Sequence, residues 1–114
     1  MNERDAEVLR ITQEECAEVI QAVSKVFRFG LHESYNGFTN KERLEEEVGD
    51  LQAMVDLAIE FCILDDGNVN KARKAKRDKL LKYSNIFGKA THIDTFDTIS
   101  KEKNATILNK DKSR

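Results

Sequence analysis

Between Glu3 and Phe29 the apolar residues Val8, Ile11, Val19, Val23 and Val26 recur with a helical period. Asn2 suits the N-cap of such a helix, Glu3 and Asp5 favour its first turn, and Gly30 suits its end. The stretch LHESYNGFTN that follows has no period and contains the turn dipeptide Asn36-Gly37. Thr39 and Glu42 stand at capping-box spacing, predicting a second helix from Asn40 to Leu64. Its buried stripe would be Leu44, Val48, Leu51, Val55, Ala58 and Cys62, and the turn DDGN would end it. A third helix is predicted over Val69 to Phe87, with Ala72, Leu80, Tyr83 and Phe87 on one face and Lys76 and Lys79 projecting onto it. Beyond Gly88 the pattern fades. Residues 1–88 read as one domain and residues 89–114 as a polar tail. The fold class is all-α, a bundle of long antiparallel helices. A 25-residue helix is roughly 37 Å long, more than one short neighbour covers well. The economical solution is a bundle completed by a second copy, as a homodimer or homotetramer.

Composition narrows this picture. The 114 residues suffice for one modest core. With 35% charged residues, 7% aromatics, no Pro and no Trp, the chain suits helices better than sheets. A net charge of −2 excludes an overall basic nucleic-acid binder. Asp56 and Glu60 interrupt the most apolar stretch, so neither a spanning helix nor a signal peptide is expected. Cys16 and Cys62 project onto apolar stripes and read as reduced core residues. The expectation is a cytoplasmic protein, in the host cytoplasm if phage-encoded, with no membrane partner.

The candidate chemistry lies in carboxylates at apolar positions. At about 100° per residue, Glu15 falls between Ile11 and Val19 in projection, Glu47 between Met54 and Ala58, and Asp50 between Leu57 and Phe61. Glu18 sits at the margin of its stripe. Such acids are costly to bury unless paired, hydrogen-bonded or metal-bound. Glu15 with Glu18, and Glu47 with Asp50, each have i,i+3 spacing and so share a helix face. Antiparallel packing would bring both pairs together. Oxygen donors without imidazole or thiolate suit Mg²⁺, with Mn²⁺ as a substitute. His32 and His92 lie outside the predicted helices, which argues against a di-iron site built on Glu-x-x-His pairs. Buried salt bridges to Lys76 or Lys79 are the structural alternative. A hydrated Mg²⁺ held by carboxylates implies a phosphate-bearing ligand, for which Lys76 and Lys79 would supply cations.

At these residues the chain resembles the MazG-like family of all-α nucleoside triphosphate pyrophosphohydrolases. The resemblance rests on Glu14-Glu15-x-x-Glu18 and Glu47-x-x-Asp50, in the contexts EECAEVIQAVSKVFRFG and LEEEVGDLQAMVDLAIE, and more weakly on the basic segment KAKRDKLLKYSNIFGK. It covers roughly residues 8–87, including a basic helix like those closing the short stand-alone members found in bacteria and phages. It implies cleavage of a (d)NTP between the α and β phosphates, giving (d)NMP and pyrophosphate, in control of deoxynucleotide pools. It also implies Glu15, Glu18, Glu47 and Asp50 as Mg²⁺ ligands. Glu15 or Glu18 would take the proton of the attacking water, making these two the candidate catalytic residues. Lys76, Lys79, Lys25 and Tyr83 are the candidate phosphate-binding residues. Ile11, Thr12 and Phe29 are candidate walls for the base, though core packing explains each more simply.

Two other readings stand beside this one. Phosphoribosyl-ATP pyrophosphohydrolase belongs to the same class. A non-catalytic helical dimer that binds a partner protein belongs to another. Inward carboxylates favour the enzyme, because an interaction module would leave its acids in solvent.

Overall fold

The computed structural model describes residues 1–88; the expected tail, residues 89–114, lies outside them. The described chain is mostly helical: α1 (Glu3–Phe29), α2 (Asn40–Glu60) and α3 (Asp66–Tyr83), with a two-stranded ribbon, β1 (Ser34–Tyr35) and β2 (Phe38–Thr39). It divides into two compact units, Met1–Asp66 and a second beginning at Gly67.

In the first unit, α1 begins and ends where its caps predict. The Asn2 side chain accepts from the Asp5 amide at 2.7 Å, and the Gly30 amide donates to the Val26 carbonyl at 2.8 Å. Helix α2 opens on a complete capping box: Thr39 Oγ1 accepts from the Glu42 amide at 3.0 Å, and the Glu42 carboxylate accepts from the Thr39 amide at 2.8 Å.

Between the helices the connection is more ordered than its sequence suggests. Asn36 and Gly37 have φ of 56° and 84°, the positive pair that a type I′ turn needs. That turn pairs Ser34 with Thr39 and Tyr35 with Phe38. Strands of two residues are too short to show alternation, so the dipeptide alone signals the ribbon. Buried Asn40 ties the start of α2 to the end of α1, its side-chain amide donating to the Gly30 carbonyl at 2.9 Å.

Helices α1 and α2 form an antiparallel pair. The Arg4 guanidinium lies 3.9 Å from the Phe61 ring centroid, the Glu15 carboxylate meets Asp50, and Asn40 reaches Gly30. Progress along α1 is thus matched by retreat along α2. Val8, Ala22 and Ala58 are the buried apolar residues of this unit. The rest of each predicted stripe is only partly covered: Ile11, Val19, Leu44 and Leu51 are half-buried, while Val23 and Val48 are exposed.

Helix α2 is shorter than predicted, ending at Glu60 rather than Leu64. Cys62 takes a left-handed conformation, φ 62°. Its amide donates to the Ile59 carbonyl at 2.9 Å, and the Ile63 amide reaches back to the Ala58 carbonyl at 2.8 Å. These two bonds make a Schellman motif, which satisfies the last carbonyls and turns the chain out of the helix. The segment DDGN does not only end α2, since α3 already begins at Asp66. The core assignment of the cysteines is also corrected: Cys16 and Cys62 are both exposed free thiols. Cys16 sits beside the line on which α1 meets α2, and Cys62 lies past the end of α2.

In the second unit α3 buries Leu81, with Leu80, Phe87 and Arg77 half-buried and Arg77 stacked 4.9 Å from the Phe87 centroid. Tyr83, expected on the covered face, is 77% exposed, and Lys76 and Lys79 are exposed too. The buried position is one residue away from that prediction, about 100° around the helix. Among the described residues no helix is long and apolar enough to cross a membrane.

Candidate functional site

The antiparallel packing of α1 on α2 brings three of the four predicted carboxylates together. Glu15, Glu47 and Asp50 each offer an oxygen, and these oxygens lie within 4.8 Å of one another. Glu15 and Glu47 are half-buried, whereas Asp50 is exposed, so the expectation of a uniformly buried set is corrected. Asp50 stands at the open edge of the helix pair, where one neighbouring helix cannot cover it.

Glu18 stands outside this triad but beside it. It lines a pocket of about 220 Å³ together with Glu47, Lys25 and Arg43. Its charge is among those acting on both Glu15 and Glu47. Partial burial, followed by the charges of Asp50, Glu18 and Glu14, pushes the Glu15 carboxyl above its ordinary value. Glu47 is raised in the same way, by partial burial and then by Glu18, Asp50, Glu15 and Glu46. The ion pairs among the described residues, Arg4 with Asp5, Lys41 with Glu45 and Lys74 with Asp78, involve none of the four.

The donor set fits a hard divalent cation. It offers carboxylate oxygens only, within the span that one ion or a closely spaced pair could bridge, and Asp50 leaves an open side for water or ligand. A cation here would relieve the repulsion that raises Glu15 and Glu47.

Beyond the acids the surface changes character. Lys25, Asn40 and Arg43 line both the smaller pocket and a second one of about 580 Å³, which extends to Phe29, Tyr35 and Asn36. The Arg43 guanidinium is held in place by donating to the Tyr35 carbonyl at 3.3 Å and by lying 5.3 Å from the Phe38 centroid. One groove thus runs from carboxylates, past two cations, to aromatic rings.

Of the predicted phosphate ligands, Lys25 lies on this groove, and Lys76, Lys79 and Tyr83 lie exposed on α3 in the other unit. Phe29, predicted as a wall or core residue, lines the larger pocket and is 55% exposed. Ile11 and Thr12 are half-buried; Thr12 donates its hydroxyl to the Val8 carbonyl at 2.7 Å, a bond within α1. Sequence reasoning missed Arg43 and Tyr35. The available signal was the capping box, which fixes the start of α2 and so places Arg43 one helical turn before Glu47.

In comparisons with known proteins, the chain matches no family model, no curated protein and no solved structure.

Proposed function

We propose that the chain is a divalent-cation-dependent nucleoside triphosphate pyrophosphohydrolase of the MazG-like kind, acting on (d)NTPs to release (d)NMP and pyrophosphate. The observation that carries this reading is the convergence of Glu15, Glu47 and Asp50 from two helices, within 4.8 Å, with none of the three in the ion pairs of Arg4 with Asp5, Lys41 with Glu45 or Lys74 with Asp78 among the described residues. Like-charged groups held this way destabilise a fold unless something positive binds between them.

In this reading Glu15, Glu47 and Asp50 hold Mg²⁺, or Mn²⁺ in its place, with Glu18 as a fourth acid facing the ligand. When bound, the ion supplies charge neutralisation of the triphosphate and activation of water. The remaining work falls to side chains. Lys25 and Arg43 line the pocket that Glu18 and Glu47 also line, and would hold the phosphate oxygens and stabilise charge developing on them. Arg43 suits this task because its fork is already oriented by Tyr35 and Phe38. The water oxygen bonds to phosphorus as the bridging α–β linkage breaks, and its proton passes to a carboxylate. Glu18, which lines the pocket with Lys25 and Arg43, would accept it.

The proposal extends to assembly. Ile20 and Phe27 on α1 are 66% and 85% exposed, and Val23 lies on the same face. A second copy covering this face would complete the bundle. The same face is what favours the alternative reading, a helical dimer that binds a partner protein, but that reading leaves the converged acids without a role.

The deciding measurement is a panel of NTPs and dNTPs with Mg²⁺, read as pyrophosphate against orthophosphate. Pyrophosphate release from at least one substrate is expected. Silence across the panel from folded protein sinks the enzyme reading.

A further inference from the structure

The proposed reaction concerns phosphates only, yet the groove continues past them into its larger part. We infer that the pocket of about 580 Å³ receives the nucleoside half of the substrate, and that the β1–β2 ribbon selects which nucleoside enters. This rests on the pyrophosphohydrolase reading for the phosphate end and goes beyond it for the other.

Continuity is the first support. Lys25 and Arg43 line both pockets, so a ligand whose phosphates meet these cations has its remaining portion directed either to the acids or to the larger pocket. Ring and sugar carry no charge for the acids to hold.

Length agrees. From Glu18 to Phe29 along α1 is about 16 Å at helical rise, the scale of an extended nucleoside triphosphate. The pocket volume lies within the usual range for small-molecule sites.

Chemistry agrees as well. Phe29 and Tyr35 line the pocket while being 55% and 72% exposed, so neither ring is spent on the core; the Arg28 guanidinium lies 4.9 Å from the Phe29 centroid, which leaves Tyr35 as the freer stacking surface. A planar base stacks on such surfaces whatever its identity. Discrimination needs polar groups, and the same wall carries Glu33 and Asn36. A carboxylate accepts from sugar hydroxyls or exocyclic amines, and an amide both donates and accepts. The Asn36-Gly37 turn fixes where Tyr35 and Asn36 stand, because its positive φ pair sets the register of the ribbon. The ribbon is therefore a specificity element.

The test compares nucleoside triphosphates with inorganic tripolyphosphate, which has the phosphates and no ring. It also measures binding of nucleoside monophosphates to the full, metal-free chain by calorimetry. Tyr35→Ala should raise KM for the preferred nucleoside triphosphate about tenfold, the scale of losing one stacking ring. The rise in KM for the nucleoside triphosphate should clearly exceed any change in its kcat or in KM for tripolyphosphate, and Tyr35→Phe should restore KM. Monophosphate binding should weaken by a similar factor in Tyr35→Ala and persist in Glu47→Gln. Equal effects of Tyr35→Ala on both substrates, or none on either, overturn the inference while leaving the hydrolase intact. If no triphosphate is cleaved but monophosphate binding depends on Tyr35, the nucleoside pocket stands and the hydrolase reading falls. Wild-type protein that binds no monophosphate and discriminates no base overturns the pocket.

Discussion

Glu47 illustrates how one side chain carries opposite consequences for stability and chemistry. Partial burial and four neighbouring acids raise its carboxyl above 4.5. A raised acid costs stability as pH climbs through its folded value, so the penalty is present at neutral pH and absent well below it. Glu47→Gln removes the charge at nearly constant volume. Its metal-free melting temperature at neutral pH should therefore exceed that of the parent, while the stabilisation conferred by millimolar Mg²⁺ shrinks and turnover disappears. A variant that melts lower and retains activity would make Glu47 a structural residue. Cys62 offers a separate residue-scale test. It holds the left-handed position of a Schellman motif, φ 62°, where a side chain costs about 1 kcal/mol relative to Gly. Cys62→Gly should stabilise by up to that amount in urea unfolding, and its thiol, being exposed, should react with a thiol reagent before unfolding.

At the scale of elements, the start of α2 has most influence on the site. The capping box sets the first residue of the helix and thereby the rotation of Arg43, Glu47 and Asp50 about its axis. Thr39→Ala removes the hydroxyl that accepts from the Glu42 amide and should cost about 1 kcal/mol. Glu42 adds a pH dependence of the opposite sign to that of Glu47. Bonds first from the Thr39 amide and then from its hydroxyl lower the Glu42 carboxyl below 4.5. Its contribution is present above the unfolded value and lost as pH falls through the folded one. Glu42→Gln should flatten the acid limb of the stability curve below pH 4.5 and leave the neutral limb's shape unaltered, as read by thermal melts across pH. Helix α1, with a side-chain N-cap and a glycine end, should be insensitive to either change.

For the whole molecule, the decisive property is how little apolar surface the described residues hide. Val8, Ala22 and Ala58 are the buried apolar residues of the first unit, against exposed Ile20, Val23 and Phe27 on one face of α1. Sedimentation should give a mass that is a multiple of 13.1 kDa, and Ile20→Glu with Phe27→Glu should return it to 13.1 kDa with helicity retained. A parent already at the single-chain mass refutes the shared bundle. Local sequence by itself determined the helical class, both ends of α1, the capped start of α2 and the turn at Asn36-Gly37. Caps, turns and helical period are short-range, involving residues at most four apart. It also singled out Glu15, Glu47 and Asp50, because acids at apolar positions stand out against a period, whereas Glu18, at the margin of its stripe, rested partly on the family pattern. The extent of burial depended on the partner each helix met. A stripe read by period is wider than the line on which one neighbour packs, so Asp50, Cys16 and Val48 proved exposed. Tertiary structure alone decided that Glu15 meets Glu47 and Asp50 while Glu18 faces a groove. It also joined Arg43 and Tyr35 to Lys25, since spatial proximity across an antiparallel helix pair leaves no local trace in the chain.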